Sequence, residues 1–289
     1  MIENIKLTLF LLLFTLLSYQ CEAGLSAPKE PFIFYSLESA TNKTTKNEQN
    51  TEKQIFDLIF NELPEYELII KSTNYKTALN NAKASKNVCI RNIVHTKERS
   101  KELLFSKPQT LFLGLRLFFG PHLKDSSIEQ FQNKTLTAII NMRPDLRIGI
   151  EYGRAYGSNI SKELKKIPAK NKYQRTGSDG QNIMIYMLLK GRVDMILEYP
   201  EVISYKADQI KNDLKLRSID LMNSAPLIFG RMACSQSSKA RVLIEKVNLE
   251  LEKLYTSEEF KQAHLVLIKG EQQSLFLELL ERFLQGVNK

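Results

Sequence analysis

Short apolar runs alternate along this chain with stretches in which apolar residues recur at helical spacing. Runs at residues 31–36, 67–71 and 88–94 have the length and composition of strands. Between the first two runs, apolar residues recur every three or four positions and stop at Pro64, so we expect a helix to end there. The polar segment at residues 40–51 is expected to be a loop. Strands that alternate with helices predict an α/β protein with largely parallel sheets.

The same alternation restarts after Pro121. Strands are predicted at residues 147–151, 193–197 and 214–221, and helices at residues 159–166, 183–189, 242–254 and 271–284. Two longer strand-like runs, at residues 111–119 and 227–234, flank this central block, and the first is predicted to be a strand that leaves one unit for another. A chain that crosses twice in this way is typical of one domain inserted into another.

The beginning of the chain has the pattern of an export signal. An apolar run at residues 7–17 follows Lys6 and precedes Ala23, after which a signal peptidase could cleave. The run is shorter than the roughly 18–20 residues that span a bilayer. We therefore interpret residues 1–23 as a secretory signal peptide and expect an exported protein. An uncleaved membrane anchor is the alternative.

Composition excludes several classes of protein. With 43% hydrophobic and 25% charged residues, the chain is too apolar to be disordered. Its 41 Lys and Arg against 32 Asp and Glu give a net charge of +9, but the excess is spread along the sequence. This distribution favours a solvated basic surface, so we expect no nucleic-acid partner.

Candidate chemistry is sparse. The sequence contains no nucleophile elbow, phosphate loop or dinucleotide fingerprint, and we expect no cofactor. His95, His122 and His264 show no metal-ligand spacing, so no metal site is predicted. After removal of the signal peptide only Cys89 and Cys234 remain. In an oxidising compartment they form either a disulfide, 145 positions apart, or two buried free thiols.

Three segments, taken in order, resemble type II periplasmic solute-binding proteins of the polar amino-acid-binding kind. Residues 96–108 contain T-x-E-R and then F-S-x-P, as in the first lobe of that family. Residues 147–153 resemble the strand and glycine turn that open the second lobe, and residues 188–197 resemble its L-x-x-G-R-x-D step from helix to strand. The resemblance implies a two-lobed Venus-flytrap fold with two parallel-rich sheets, flanking helices and a double crossover hinge. Lobe 1 would comprise residues 24–117 and 228–289, and lobe 2 residues 118–227.

A closer likeness is to an uncharacterised branch of exported proteins within that superfamily. The shared features are L-P-E-Y at residues 63–66, G-R-x-Y-G at residues 153–157 and E-Y-P at residues 198–200. This branch also tends to carry one Cys before T-x-E-R and a second in the returning part of lobe 1. The likeness thus implies that Cys89 and Cys234 both lie in lobe 1, and it supports their pairing.

The resemblance assigns Arg99 to the ligand. In amino-acid binders the Arg of T-x-E-R holds the ligand carboxylate as a bidentate pair, for which a planar guanidinium is suited. The alternative for Arg99 is a structural ion pair. Asn92 and Val94 stand where the family has small hydroxyl residues, a departure from the usual α-amino-acid pocket. Tyr35 and Tyr75 are placed on the lobe 1 side of the cleft by position alone.

In lobe 2 the resemblance gives a mixed site. Arg154 and Tyr156 replace the small hydroxyl residues that donate hydrogen bonds at a helix start, so Arg154 is either a second anion contact or a solvated rim residue. By count, the acidic residue that receives the ligand ammonium falls on Tyr199, and slippage by one position gives the role to Glu198. Tyr152, Tyr156 and Tyr199 are expected to be walls of the cleft.

The implied function is that of a monomeric periplasmic solute-binding protein without enzyme activity. Its lobes would close by hinge motion on a small polar ligand with at least one anionic group, for an inner-membrane permease or a sensor. Two other classes stay open. One is a cofactor-free, dehydratase-like enzyme with Glu198 as acid and base. The other is an envelope interaction protein with a degenerate cleft that binds polyanions through its basic face.

Overall fold

The computed structural model describes residues 28–37, 51–123, 128–177, 180–209 and 216–287. The expected signal peptide and residues 40–50 of the expected loop lie outside these ranges. No helix among the described residues is long and apolar enough to cross a membrane.

The chain forms strands and helices in alternation. The first part contains β1 (Glu30–Ser36), α1 (Thr51–Asn61), β2 (Tyr66–Ser72), α2 (Tyr75–Ala84), β3 (Val88–Val94), β4 (Leu103–Phe105) and β5 (Thr110–Leu113). The central part contains β6 (Arg116–Phe119), α3 (Leu136–Met142), β7 (Ile148–Glu151), α4 (Ser158–Lys166), β8 (Lys172–Arg175), α5 (Gly180–Leu189), β9 (Met195–Glu198), α6 (Pro200–Gln209) and β10 (Ser218–Asp220). The last part contains β11 (Leu227–Ser235), α7 (Ser238–Leu254), α8 (Glu258–Leu265) and α9 (Glu271–Val287).

The first sheet has the order β2-β1-β3-β11-β4, with β5 also paired to β11. Strand β1 is parallel to β2 and β3, whereas β11 is antiparallel to its neighbours. Successive side chains of β1 point to opposite faces of this sheet. Phe32 and Phe34 lie in the large core, together with side chains of α1, α7, α8 and α9. Ile33 and Tyr35 pack on the other face, with α2. This unit is lobe 1.

The second sheet has the order β10-β6-β9-β7-β8. Strand β7 is parallel to β8 and β9, and β6 is antiparallel to β9 and β10. Helices α3 and α4 cover one face, where Ile139 and Ile160 are buried, and α5 covers the other with Met184 and Leu188. This unit is lobe 2. The expectation of parallel-rich sheets was wrong, because both sheets are mixed: two of five strand pairings in the first sheet and two of four in the second are parallel.

The two connections between lobe 1 and lobe 2 lie side by side. The apolar run at residues 111–119 passes from one unit to the other, as predicted, but it forms two strands and not one: its first half is β5 in lobe 1 and its second half is β6 in lobe 2. The break falls at Gly114, whose amide donates to Pro226 O at 2.8 Å. A Cβ at this glycine would lie 2.2 Å from Ala225 O, so only glycine allows this approach. The run at residues 227–234 is indeed one strand, β11.

The exact domain limits stay a prediction. The chain changes sheet between Leu113 and Arg116, and again between Asp220 and Leu227. Arg116 therefore pairs within the second sheet, two residues before the limit expected from the sequence.

A disulfide joins the outgoing and returning parts of lobe 1. Cys89 on β3 and Cys234 on β11 lie directly opposite each other, with an S–S distance of 2.01 Å and a Cα–Cα distance of 4.0 Å. Both residues are fully buried. The whole excursion of the chain through lobe 2 falls between these two cysteines.

Candidate functional site

Arg99 connects the two lobes. After β3 the chain turns at Thr96, whose Oγ1 accepts a hydrogen bond from the Arg99 amide at 3.2 Å. The guanidinium then donates through Nη1 to Val94 O at 2.5 Å, within lobe 1, and through Nη2 to Gly153 O at 2.6 Å, in lobe 2. Arg99 is only 8% exposed. Both fork nitrogens thus face carbonyl groups at the junction of the lobes.

No carboxylate balances this guanidinium within the described part of the chain. None of the described acidic residues forms an ion pair with Arg99. Burial lowers the pKa of Arg99, but an arginine keeps its proton in proteins. The junction therefore contains a buried positive charge whose partners are neutral carbonyls.

Gly153 allows the close approach of the lobes. Its φ of +83° is in a region that side chains other than glycine rarely adopt. A Cβ at this position would lie 3.1 Å from the Cβ of Tyr75, the first residue of α2. Beside it, Lys76 Nζ lies 5.6 Å from the ring centroid of Tyr152, which is 45% exposed. Tyr152 is therefore a rim residue that faces lobe 1.

Arg154 and Glu198 form a buried pair in lobe 2. Arg154 Nη1 donates to Glu198 Oε2 at 2.8 Å, and Nη2 donates to Oε1 at 2.6 Å. Their side chains are 4% and 2% exposed. Burial alone would lower the pKa of Arg154, but Glu198 holds it well above its usual value. The bidentate geometry makes this a strong, charge-assisted contact.

A second carboxyl group adjoins the same guanidinium. Glu151 Oε1, at the end of β7, lies 3.5 Å from Arg154 Nη1. Burial raises the pKa of Glu151, and the neighbouring charge of Glu198 acts in the same direction. Glu198 also accepts a hydrogen bond from the Tyr199 amide at 2.9 Å. Arg154 is thus the shared partner of both acids.

Two tyrosine rings complete the surroundings of Arg154. Its Cζ lies 5.1 Å from the ring centroid of Tyr156 and 5.4 Å from that of Tyr199. The Tyr156 hydroxyl accepts a hydrogen bond from the Glu151 amide at 2.8 Å. The Tyr199 ring stacks on Phe112 of β5 at 4.7 Å, and burial raises its pKa to about 12. Both tyrosines are therefore neutral walls at ordinary pH.

Tyr35 packs in lobe 1, in the same cluster as Tyr75. The Tyr35 hydroxyl accepts a hydrogen bond from Asn81 Nδ2 on α2 at 2.8 Å, and the ring packs in the small cluster beneath that helix. No described contact brings it to Arg99 or Arg154. Its position on the first strand carried no information about which way the ring turns.

Glu201 is a residue that the sequence analysis missed. It lies in the first turn of α6, and its Oε1 accepts a hydrogen bond from the Leu113 amide at 3.0 Å, where β5 leaves lobe 1. Burial raises its pKa to about 8. The only available signal was an acidic residue directly after Pro200, typical of a helix start. Its contact links α6 of lobe 2 to the hinge.

Metal-binding geometry is not found in the described ranges. Within them, no three His, Cys, Asp or Glu side chains lie close enough together to hold an ion.

The sequence matches no protein-family model and no curated protein. Solved structures do match. An ancestral arginine-binding protein bound to arginine is 16% identical with a TM-score of 0.63, over 83% of this chain and 99% of that chain. A structure from work on glutathione import and the cystine importer of Streptococcus mutans is 17% identical with a TM-score of 0.63, over 86% and 99%. An ancestral amino-acid-binding protein, a precursor of cyclohexadienyl dehydratase, is 14% identical with a TM-score of 0.60, over 83% and 95%.

The chain has the type II periplasmic-binding-protein fold. The expected two-lobed architecture is thereby confirmed. The hydrogen bond from Arg99 to Gly153 O joins the two lobes of this fold. At these identities the likeness establishes the fold and leaves the ligand to be argued from the residues.

Proposed function

We propose that this protein is a periplasmic solute-binding protein that closes its two lobes on a small, carboxylate-bearing ligand. The observation that carries the proposal is the buried guanidinium of Arg99, bonded to one carbonyl in each lobe. A ligand carboxylate would offer the same fork two charged acceptors in place of two neutral ones. The T-x-E-R resemblance assigns the ligand carboxylate to this same arginine.

Closure follows from the same contacts. Because Arg99 belongs to lobe 1 and Gly153 to lobe 2, a ligand held at this fork touches both lobes and stabilises their approach. The similar solved structures include amino-acid-binding proteins and the substrate-binding protein of an amino acid ABC transporter. Delivery to an inner-membrane permease, or sensing, is the role that fits such a binder.

The dehydratase-like alternative has less support. Its acid and base candidate, Glu198, is held by both nitrogens of the Arg154 fork and by the Tyr199 amide. A carboxylate in such a pair is poorly placed to exchange a proton with a substrate. We therefore propose binding without turnover.

A thermal-shift screen of the purified protein tests the proposal. The panel contains amino acids, small carboxylates, amines and short peptides. A ligand at a hundredfold excess over its dissociation constant stabilises the folded state by about 2.7 kcal/mol. We expect a carboxylate to raise the melting temperature and Arg99→Ala to weaken its binding roughly ten- to hundredfold, as for loss of a charge-assisted contact.

A matched variant separates this effect from loss of a positive charge in general. Arg143 forms a surface ion pair with Asp145, away from the cleft, so Arg143→Ala is expected to bind as the wild type does. The proposal is refuted if no carboxylate stabilises the protein, or if the Arg99 variant binds it unchanged. Salt-sensitive binding of polyanions alone would instead favour the envelope interaction protein.

A further inference from the structure

Arg154 occupies a complete cation site built by its own chain. The guanidinium is bidentate to Glu198, lies 3.5 Å from Glu151 and has the rings of Tyr156 and Tyr199 within 5.4 Å. Carboxylates and aromatic faces are the groups with which proteins bind the cationic part of a ligand. Here a side chain of the protein fills that role.

Because Arg154 fills this cation site, the remaining charge in the cleft has one sign. Glu198 and Glu151 are the carboxyl groups next to Arg154, and the same guanidinium engages both. Arg99, which also faces the junction, pairs with carbonyls and with no described carboxylate. The charge that the described cleft residues present to a ligand is therefore positive.

We propose that the ligand of this cleft is a carboxylate without an ammonium group, and that Arg154 is the residue that sets this preference. The inference rests on the proposed function and names its substrate class. It predicts that the protein discriminates against α-amino acids, although proteins of the same fold bind arginine or glutamine.

The physical reason is the cost of moving Arg154. A ligand ammonium near Glu198 would meet the like charge of the guanidinium at close range in a desolvated site. To pair with Glu198 it would have to displace Arg154, whose side chain is 4% exposed, and leave that charge without its bidentate partner. A ligand that lacks the ammonium requires neither change.

Matched pairs of compounds test the preference directly in the wild-type protein. Each pair differs by the amino group alone: L-glutamate and glutarate, L-alanine and propionate, L-phenylalanine and 3-phenylpropionate. Isothermal titration calorimetry is expected to show at least tenfold tighter binding for the member without the amino group in every pair that binds. An amino acid that binds as tightly as its partner, or more tightly, overturns the inference.

Two variants test the role of Arg154. Arg154→Gln frees Glu198 and is expected to shift the preference toward the amino acid. Arg154→Gln combined with Glu198→Gln removes one charge of each sign, so no carboxylate at position 198 is left without its partner; it is expected to lose the discrimination. Unchanged discrimination in the double variant would show that Arg154 does not set it.

The two proposals fail in different ways. If neither member of any pair binds the wild type, the proposed function is wrong and this inference falls with it. If carboxylates bind through Arg99 but the amino group makes no difference, the solute-binding function stands and the inference alone is wrong.

Discussion

At the scale of single residues, His264 shows how burial fixes the state of a titratable group. The ring is 2% exposed, its Nδ1 donates to Phe260 O at 2.7 Å, and its Nε2 accepts from the Leu111 amide at 3.0 Å. An Nε2 that accepts carries no proton, so the ring is neutral. Burial lowers its pKa from 6.5 to about 4. His264 thus ties α8 to β5 only in its neutral form.

This pKa predicts a loss of stability in acid. Between pH 6.5 and about 4 the unfolded chain binds a proton that the folded chain excludes, so stability falls as the pH falls through this window. The difference corresponds to about 3 kcal/mol. His264→Gln does not titrate, and urea unfolding from pH 7 to pH 4 is expected to show a shallower loss than in the wild type.

The surface histidine provides the comparison. His122 has a side chain that is 38% exposed, so His122→Gln removes a histidine without touching the buried contact between α8 and β5 and serves as the matched substitution. The same pH slope in His264→Gln and the wild type would contradict the assignment of this effect to His264.

At the scale of the element, apolar patterns located most strands and helices but not the break between β5 and β6. β3 and β11 were predicted because buried strands are continuous apolar runs. The run at residues 111–119 is equally continuous, yet it crosses from one sheet to the other, and hydrophobicity does not show which sheet a strand joins. The edge strand β8, K-Y-Q-R, has almost no apolar residues and gave no signal.

The candidate site, like the strands, was predictable only in part. Motif spacing predicts that Arg99 and Arg154 face one cleft, but it could not show that Arg154 folds back onto Glu198. That contact depends on the distance between the ends of β7 and β9, which only the three-dimensional arrangement supplies. A position on a strand likewise could not show that the Tyr35 hydroxyl bonds to Asn81 of α2.

The disulfide between β3 and β11 can be tested through its contribution to folding stability. Cys89 and Cys234 close a loop of 145 residues that contains all of lobe 2. A crosslink over so long a loop restricts the unfolded chain, and its loss typically costs about 2–5 kcal/mol. Cys89→Ala combined with Cys234→Ala is expected to unfold at correspondingly lower urea concentration.

Reductant distinguishes the crosslink from side-chain packing. The double variant also loses two buried sulfurs, whereas wild type unfolded and refolded in dithiothreitol keeps the side chains and loses only the bond. Both samples are expected to be destabilised. If reduced wild type were as stable as oxidised wild type, the destabilisation of the variant would be a packing effect and the crosslink would contribute nothing.

At the scale of the whole molecule, we expect the proposed lobe closure to depend on the backbone of Gly153. With φ at +83° and a would-be Cβ 3.1 Å from Tyr75, an alanine here is strained and also presses against lobe 1. Gly153→Ala is therefore expected to favour more open lobes and to weaken ligand binding roughly tenfold, or by about 1.4 kcal/mol. Small-angle scattering and calorimetry with the carboxylate identified by the screen measure the two effects.

Gly191 is the matched control because it separates backbone strain from contact between lobes. Its φ is +63°, but a Cβ there would approach only His122, in the same lobe. Gly191→Ala should cost about 1–2 kcal/mol of folding stability from strain and leave affinity and radius of gyration as in the wild type. If the two alanine variants bound the carboxylate equally well, the approach of Gly153 to Tyr75 would have no part in closure, and ligand binding would have to rely on contacts within one lobe.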